Sequence, residues 1–238
     1  MKYQTKPSQY FQLYRNMAEQ PHLLIAGATG SGKSVVINGI IHAILANHSP
    51  ATNRLILIDP KRVELVQYKR LPHTLMYASE PGEPGRALQC AVQVIEERYS
   101  QMQKQGKRKY EGSDVHVIID EMADLMLTDR KVIQPILQRI CQIGRAAKVH
   151  VIAATQCPLA VVIPTAIKVN FDSRVALRTR SGQDSRNILG QTGCENLPRY
   201  GQGYYMTPEG LQRYTLPMIP DAMIEDLIAY WTGRECIA

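Results

Sequence analysis

Short apolar runs that end in polar or glycine-rich turns recur at His22–Ala26, Arg54–Ile58, Val115–Ile119, Val149–Ala154 and Ser173–Arg178. Each has strand length and lacks the alternation of a half-exposed strand, so each predicts a strand buried on both faces. Between most of them the period changes. Val36, Ile37, Ile40, Ile41, Ile44 and Leu45 form a helical stripe within Ser34–Ala46, and Leu88, Val92, Ile95, Tyr99 and Met102 form another. A third helix is predicted over Val132–Ile143, with Pro135 tolerated near its first turn. Helical spacing returns over Pro220–Trp231, and loops are predicted at Ser79–Gly85 and Gly106–Gly112. Strands alternating with helices predict an α/β fold, a mainly parallel sheet flanked by helices.

The 238 residues are 45% hydrophobic, enough to bury a full core in one domain. Lys and Arg outnumber Asp and Glu by 28 to 21, a formal charge of +7 that suits a polyanionic partner or serves solubility alone. Of the five cysteines, Cys90, Cys141, Cys157, Cys194 and Cys236, none falls in a CxxC or His-rich pattern, so reduced structural thiols are expected. No apolar segment reaches membrane-spanning length and the opening MKYQTKPSQYF is polar. A cytoplasmic chain with no leader and no direct membrane insertion is therefore expected.

Gly27-Ala28-Thr29-Gly30-Ser31-Gly32-Lys33-Ser34 matches GxxxxGK[ST], follows a predicted strand and opens a predicted helix. Glycines let successive N–H groups turn toward phosphate oxygens, and the helix N-terminus adds partial positive charge. In this reading Gly27 through Val35 cradle ATP, Lys33 reaches the β- and γ-phosphates and Ser34 ligates Mg²⁺. A dinucleotide GxGxxG, counted from Gly30 and Gly32, needs a glycine where Val35 stands.

Val115–Ile119 ends in Asp120-Glu121, the place where an open parallel sheet carries its chemistry. Asp120 is expected to hold Mg²⁺, directly or through water, and Glu121 to orient or deprotonate the attacking water. A water-activating carboxylate favours hydrolysis over kinase chemistry, which must exclude water. Thr155-Gln156, at another strand end, offers Gln156 to read the γ-phosphate by hydrogen bonding, or simply to cap the loop.

Several stretches together resemble the FtsK/SpoIIIE family: PHLLIAGATGSGKSVVIN at Pro21–Asn38, LILIDPKRVEL at Leu55–Leu65 and VIIDEMADLM at Val117–Met126. GRAAKVHVIAATQCP at Gly144–Pro158 and SRVALRTRSGQDSRNILG at Ser173–Gly190 continue it in order and approximate spacing. The resemblance implies a RecA-like P-loop NTPase acting as a hexameric ring that drives double-stranded DNA through its channel by ATP hydrolysis. It divides the chain into a short extension at 1–20 and a motor domain at 21–238. It makes Gln156 a post-strand sensor, and it singles out Arg174 and Arg186, with Arg145 third, as arginines supplied to a neighbouring subunit's ATP.

Two departures stand out. Cys157 replaces the arginine of the family's ATQRP, and Asn196–Tyr205 diverges from its glycine-rich ending. Lys104, Lys107, Arg108 and Lys109 cluster where they can track phosphates or line a solvated loop, and no aromatic residues alternate with them as a single-strand platform requires. The resemblance also admits a second role, since some similar ATPases energise protein secretion; the basic balance weighs against it.

Overall fold

The computed structural model describes residues 9–233; residues 1–8 of the expected extension, and Cys236, lie outside them. The chain runs through α1 (Gln9–Asn16), β1 (His22–Ala26), α2 (Lys33–Asn47), β2 (Asn53–Ile58) and β3 (Thr74–Ala78). It continues through α3 (Glu83–Gln105), β4 (Asp114–Ile119), α4 (Met122–Thr128), α5 (Arg130–Ile143) and β5 (Val149–Thr155). After α6 (Thr165–Lys168), β6 (Ser173–Ala176) and α7 (Gly182–Leu189), a hairpin of β7 (Gln202–Thr207) and β8 (Gly210–Thr215) leads into α8 (Asp221–Thr232).

Among the described residues all eight strands join one sheet in the order β3-β2-β4-β5-β1-β6-β7-β8, parallel from β3 to β6 and antiparallel at β7 and β8. The α/β architecture with a mainly parallel sheet is the one the periodicity predicts. Successive residues of a strand face opposite sides, so the continuous apolar runs feed two cores at once. Leu23, Ile25, Leu55, Leu57, Ile118 and Ile152 face the core under α1, α2 and α8. Leu24, Ile56, Ile58, Val117, Ile119 and Val151 face the core under α3, α4 and α5.

α2 is buried nearly all round, because α1 and α8 cover the side turned from the sheet. Gly39 permits the approach of α1: a β-carbon there would lie 2.6 Å from the Tyr10 ring. Tyr10, Leu13 and Met17 are buried in this core, and the Tyr10 hydroxyl donates to Pro217 O at 2.7 Å.

Three boundaries differ from the pattern reading. β6 ends at Ala176 because the chain there turns along the glycine-rich loop, with Leu177 N donating to Ala26 O at 2.8 Å. The loop after Ala78 is shorter than predicted, since Glu83 already opens α3 behind Gly82 in left-handed conformation. α5 begins at Arg130, so Pro135 lies inside the helix and not in its first turn. The carbonyl that its missing N–H leaves free is that of Lys131, an exposed residue.

Candidate nucleotide-binding and hydrolysis site

The C-terminal ends of β1, β5, β4 and β2 carry the predicted site, and the sheet order sets its residues side by side. β1 lies centrally, flanked by β5 and β6. The loop it feeds is tied to both neighbours, Gly27 N donating to Thr155 O at 3.3 Å and Ala28 N to Arg178 O at 2.8 Å. Gly27 cannot be replaced without moving this turn, because a β-carbon would fall 2.6 Å from Ser31 Oγ and 2.8 Å from Leu177 Cβ. Gly30 and Gly32 sit at φ 70° and 100°, where other residues are strained.

The loop is built to take an anion. Gly32 starts α2 without a side-chain cap, so its first N–H groups face the loop, and the buried Ser31 Oγ has no hydrogen-bond partner in the protein. Lys33 is only 7% exposed and its ammonium donates to Gly27 O and Ala28 O, both at 3.0 Å. Burial lowers its pKa, while Glu121 and then Asp120 act the other way. Beside the loop opens a largely apolar cavity of about 270 Å³, lined by Gly32, Val35, Leu177, Tyr200, Leu216 and Met218 among others.

One strand beyond β5, Asp120 and Glu121 end β4 and are 8% and 2% exposed. Burial first, then Glu64, Asp59 and Glu121, pushes the Asp120 carboxyl up to about 7. The Lys61 ammonium acts the other way, as a bound cation would. Among the described residues no cluster of three or more His, Cys, Asp and Glu is arranged to hold a metal. The hydroxyl of Ser34 and the carboxylate of Asp120 are hard oxygen donors of the kind that suit Mg²⁺ together with phosphate and water.

Glu121 is held from three sides. Its Oε1 accepts from Ala123 N at 3.2 Å, capping α4; Gln156 N donates to Oε1 at 3.1 Å and Oε2 at 3.3 Å; and Lys61 Nζ lies 3.5 Å from Oε2. The Gln156 side chain in turn accepts from Thr29 Oγ1 at 2.7 Å. Thr29, Gln156, Glu121 and Lys61 thus form an unbroken polar line across the ends of β1, β5, β4 and β2. The Gln156 backbone N–H thus positions Glu121, while its side-chain amide touches the glycine-rich loop.

Lys61 was missed as a site residue. The family-like Asp-Pro-Lys stretch signalled it, but its contact with Glu121 and, at 3.5 Å, with Asp124 exists only because β2 lies beside β4. Asp59 of that stretch is fully buried and organises the turn by accepting from Leu65 N at 2.9 Å.

The candidate arginines separate. Arg174 is half-buried and spends its guanidinium on three backbone carbonyls, of Phe171, Ile188 and Lys168, at 2.9, 2.8 and 3.3 Å. Arg186 is exposed on α7, and Arg145 precedes β5 at the sheet end away from the glycine-rich loop. The basic loop after α3 also lies at that far end, with Lys107 paired to Glu111 and Arg108 and Lys109 exposed. Cys157 is half-buried against the core under α3, α4 and α5.

The family model described as FtsK/SpoIIIE family matches residues 9–116 and 111–160. The DNA translocase FtsK of Agrobacterium fabrum (strain C58) is 38% identical over 259 residues, covering 90% of this chain and 29% of that protein. The chain thus spans under a third of the length of that relative. Among solved structures, the pCW3 conjugation coupling protein TcpA, with ATPγS, superposes with a TM-score of 0.78 at 21% identity, over 90% of this chain and 66% of that one. The cytoplasmic domain of the type VII secretion ATPase EccC of Thermomonospora curvata gives 0.77 at 22% identity, over 90% and 28%. At these identities both are likenesses of fold. Among the described residues no helix is long and apolar enough to cross a membrane.

Proposed function

Because the chain belongs to the FtsK/SpoIIIE family, we propose that it is the ATP-hydrolysing motor of a DNA translocase, acting in the cytoplasm on double-stranded DNA as a hexameric ring. The observation that carries the hydrolytic part is the polar line from Thr29 through Gln156 and Glu121 to Lys61, which holds a carboxylate beside the phosphate loop. In this reading residues 21–238 form the motor and 1–20 extend it, with α1 packed into the motor's core.

Lys33 and the N–H groups at the start of α2 bind the phosphates, and Ser34 and Asp120 hold Mg²⁺. The cation neutralises charge on the phosphate oxygens when bound. Glu121 orients water and accepts its proton, with Gln156 N, Ala123 N and Lys61 fixing the carboxylate. Replacing Lys33 by Ala removes the buried ammonium from the phosphate loop. ATPγS affinity should fall roughly 10–100-fold, the worth of a hydrogen bond to a charged group, as checked by titration calorimetry at a temperature where the variant is folded.

Double-stranded DNA is favoured over a secreted polypeptide by the 38% identity to a protein named as a DNA translocase and by the +7 charge. The test is ATP turnover with and without duplex DNA across a salt series. Stimulation by duplex of any sequence, lost as salt rises, supports backbone contact. Neutralising Lys107, Arg108 and Lys109 together should weaken stimulation and flatten its salt dependence if that loop tracks phosphates. Turnover indifferent to DNA at every salt concentration would turn the proposal toward secretion.

A further inference from the structure

The segment between α7 and β7 brings a cation to the phosphate loop from within the same chain. A β-carbon placed on Gly30, at the apex of that loop, would lie 3.4 Å from Arg199 Nη2 and 3.9 Å from Nε, so the guanidinium rests directly over the loop backbone. Arg199 is exposed, and among the described residues no carboxylate lies within ion-pairing distance of it. Its side chain packs over the Tyr200 ring at 5.3 Å. Tyr200, the next residue, lines the apolar cavity that Gly32 and Val35 bound from the other side.

We propose that Arg199 and Tyr200 form a nucleotide clamp supplied in cis, Arg199 bonding the phosphates over Gly30 and Tyr200 walling the cavity that receives the base. This rests on the nucleotide-binding reading of the glycine-rich loop and goes further, to residues that no motif singles out. A guanidinium suits the place because it is planar, permanently charged and able to bond two phosphate oxygens at once. The short stretch that carries both side chains leads through Gly201 at φ 75° and the bond from Leu216 N to Gly201 O at 2.9 Å into the β7–β8 hairpin. The clamp is thus anchored to the antiparallel edge of the sheet, while the loop it covers is anchored to the parallel centre.

Binding, not turnover, tests it, with protein dilute enough to be monomeric. Arg199→Ala should weaken both ATPγS and inorganic tripolyphosphate by tenfold or more, within the range for a charged hydrogen bond, and Arg199→Lys should restore part of that loss. Tyr200→Ala should weaken ATPγS and leave tripolyphosphate unchanged. Both positions are exposed, so the variants are expected to unfold at the wild-type temperature. Arg199→Ala binding both probes as wild type does would overturn the clamp while leaving the loop's role intact. Wild type that binds neither probe would overturn the clamp and the reading beneath it together. Loss that appears only at concentrations where subunits associate would assign Arg199 to a neighbour's site and overturn the cis arrangement.

Discussion

Glu121→Gln should bind ATPγS as tightly as the wild type and turn over ATP about 10³-fold more slowly, within the 10²–10⁴ that a positioned general base contributes. The substitution preserves shape and most hydrogen bonds: an amide oxygen can still accept from Ala123 N and Gln156 N. What it removes is the basic oxygen, and with it the ion pair to Lys61. Because proton transfer develops only in the transition state, the loss should fall on kcat and leave ground-state binding alone. The measurement is single-turnover hydrolysis beside equilibrium binding on the same preparation. Wild-type turnover would remove Glu121 from the chemistry and leave it as the cap of α4.

An arginine delivered across a subunit interface should matter on a comparable scale, about 10³–10⁵ in rate. Arg186 is the stronger candidate. Arg174 bonds three carbonyls of its own chain and can leave them only by abandoning three part-buried acceptors, whereas Arg186 is exposed on α7. Arg186→Ala should therefore abolish most hydrolysis in assembled rings while ATPγS binding by the monomer is retained. Mixing Arg186→Ala with Lys33→Ala is the decisive form of the experiment. Each lacks a different half of a shared site, so mixed rings contain some intact sites and should recover part of the activity that neither variant shows alone. Activity that stays absent in mixtures shown to co-assemble would mean that Arg186 does not act in trans. Arg174→Ala, in the same experiment, should chiefly lower thermal stability by freeing those three carbonyls.

The motifs were legible wherever function is written in consecutive residues. Gly27–Ser34 needs only its own strand and helix on either side to form a phosphate loop, and Asp120-Glu121 needs only a strand to end there. The strands themselves were legible because both faces of the central sheet are covered, so each appears as an unbroken apolar run. β3, β7 and β8 escaped notice for the converse reason. They lie toward the edges, are only partly buried, and in β7 and β8 include Gln202, Gln212 and Arg213. α1 escaped too, since what makes it a core helix is the groove at Gly39 and the carbonyl of Pro217, both remote in sequence.

By itself, then, the sequence determined the fold class, the phosphate loop and the pair of acids, because each depends on local spacing and on a hydrophobic period that neighbours in the chain enforce. Only the tertiary structure decided that β5 lies between β1 and β4, and so that Gln156 bridges Thr29 and Glu121. It alone set β2 against β4, turning Lys61 from a loop lysine into a partner of Glu121. It also separated Arg174 from Arg186, though both had matched the same family stretch, and laid Arg199 over Gly30. The physical reason is the same in each case. Strand order in a sheet follows from how helices and crossovers cover its two faces, so side chains that meet at the strand ends need share no proximity along the chain.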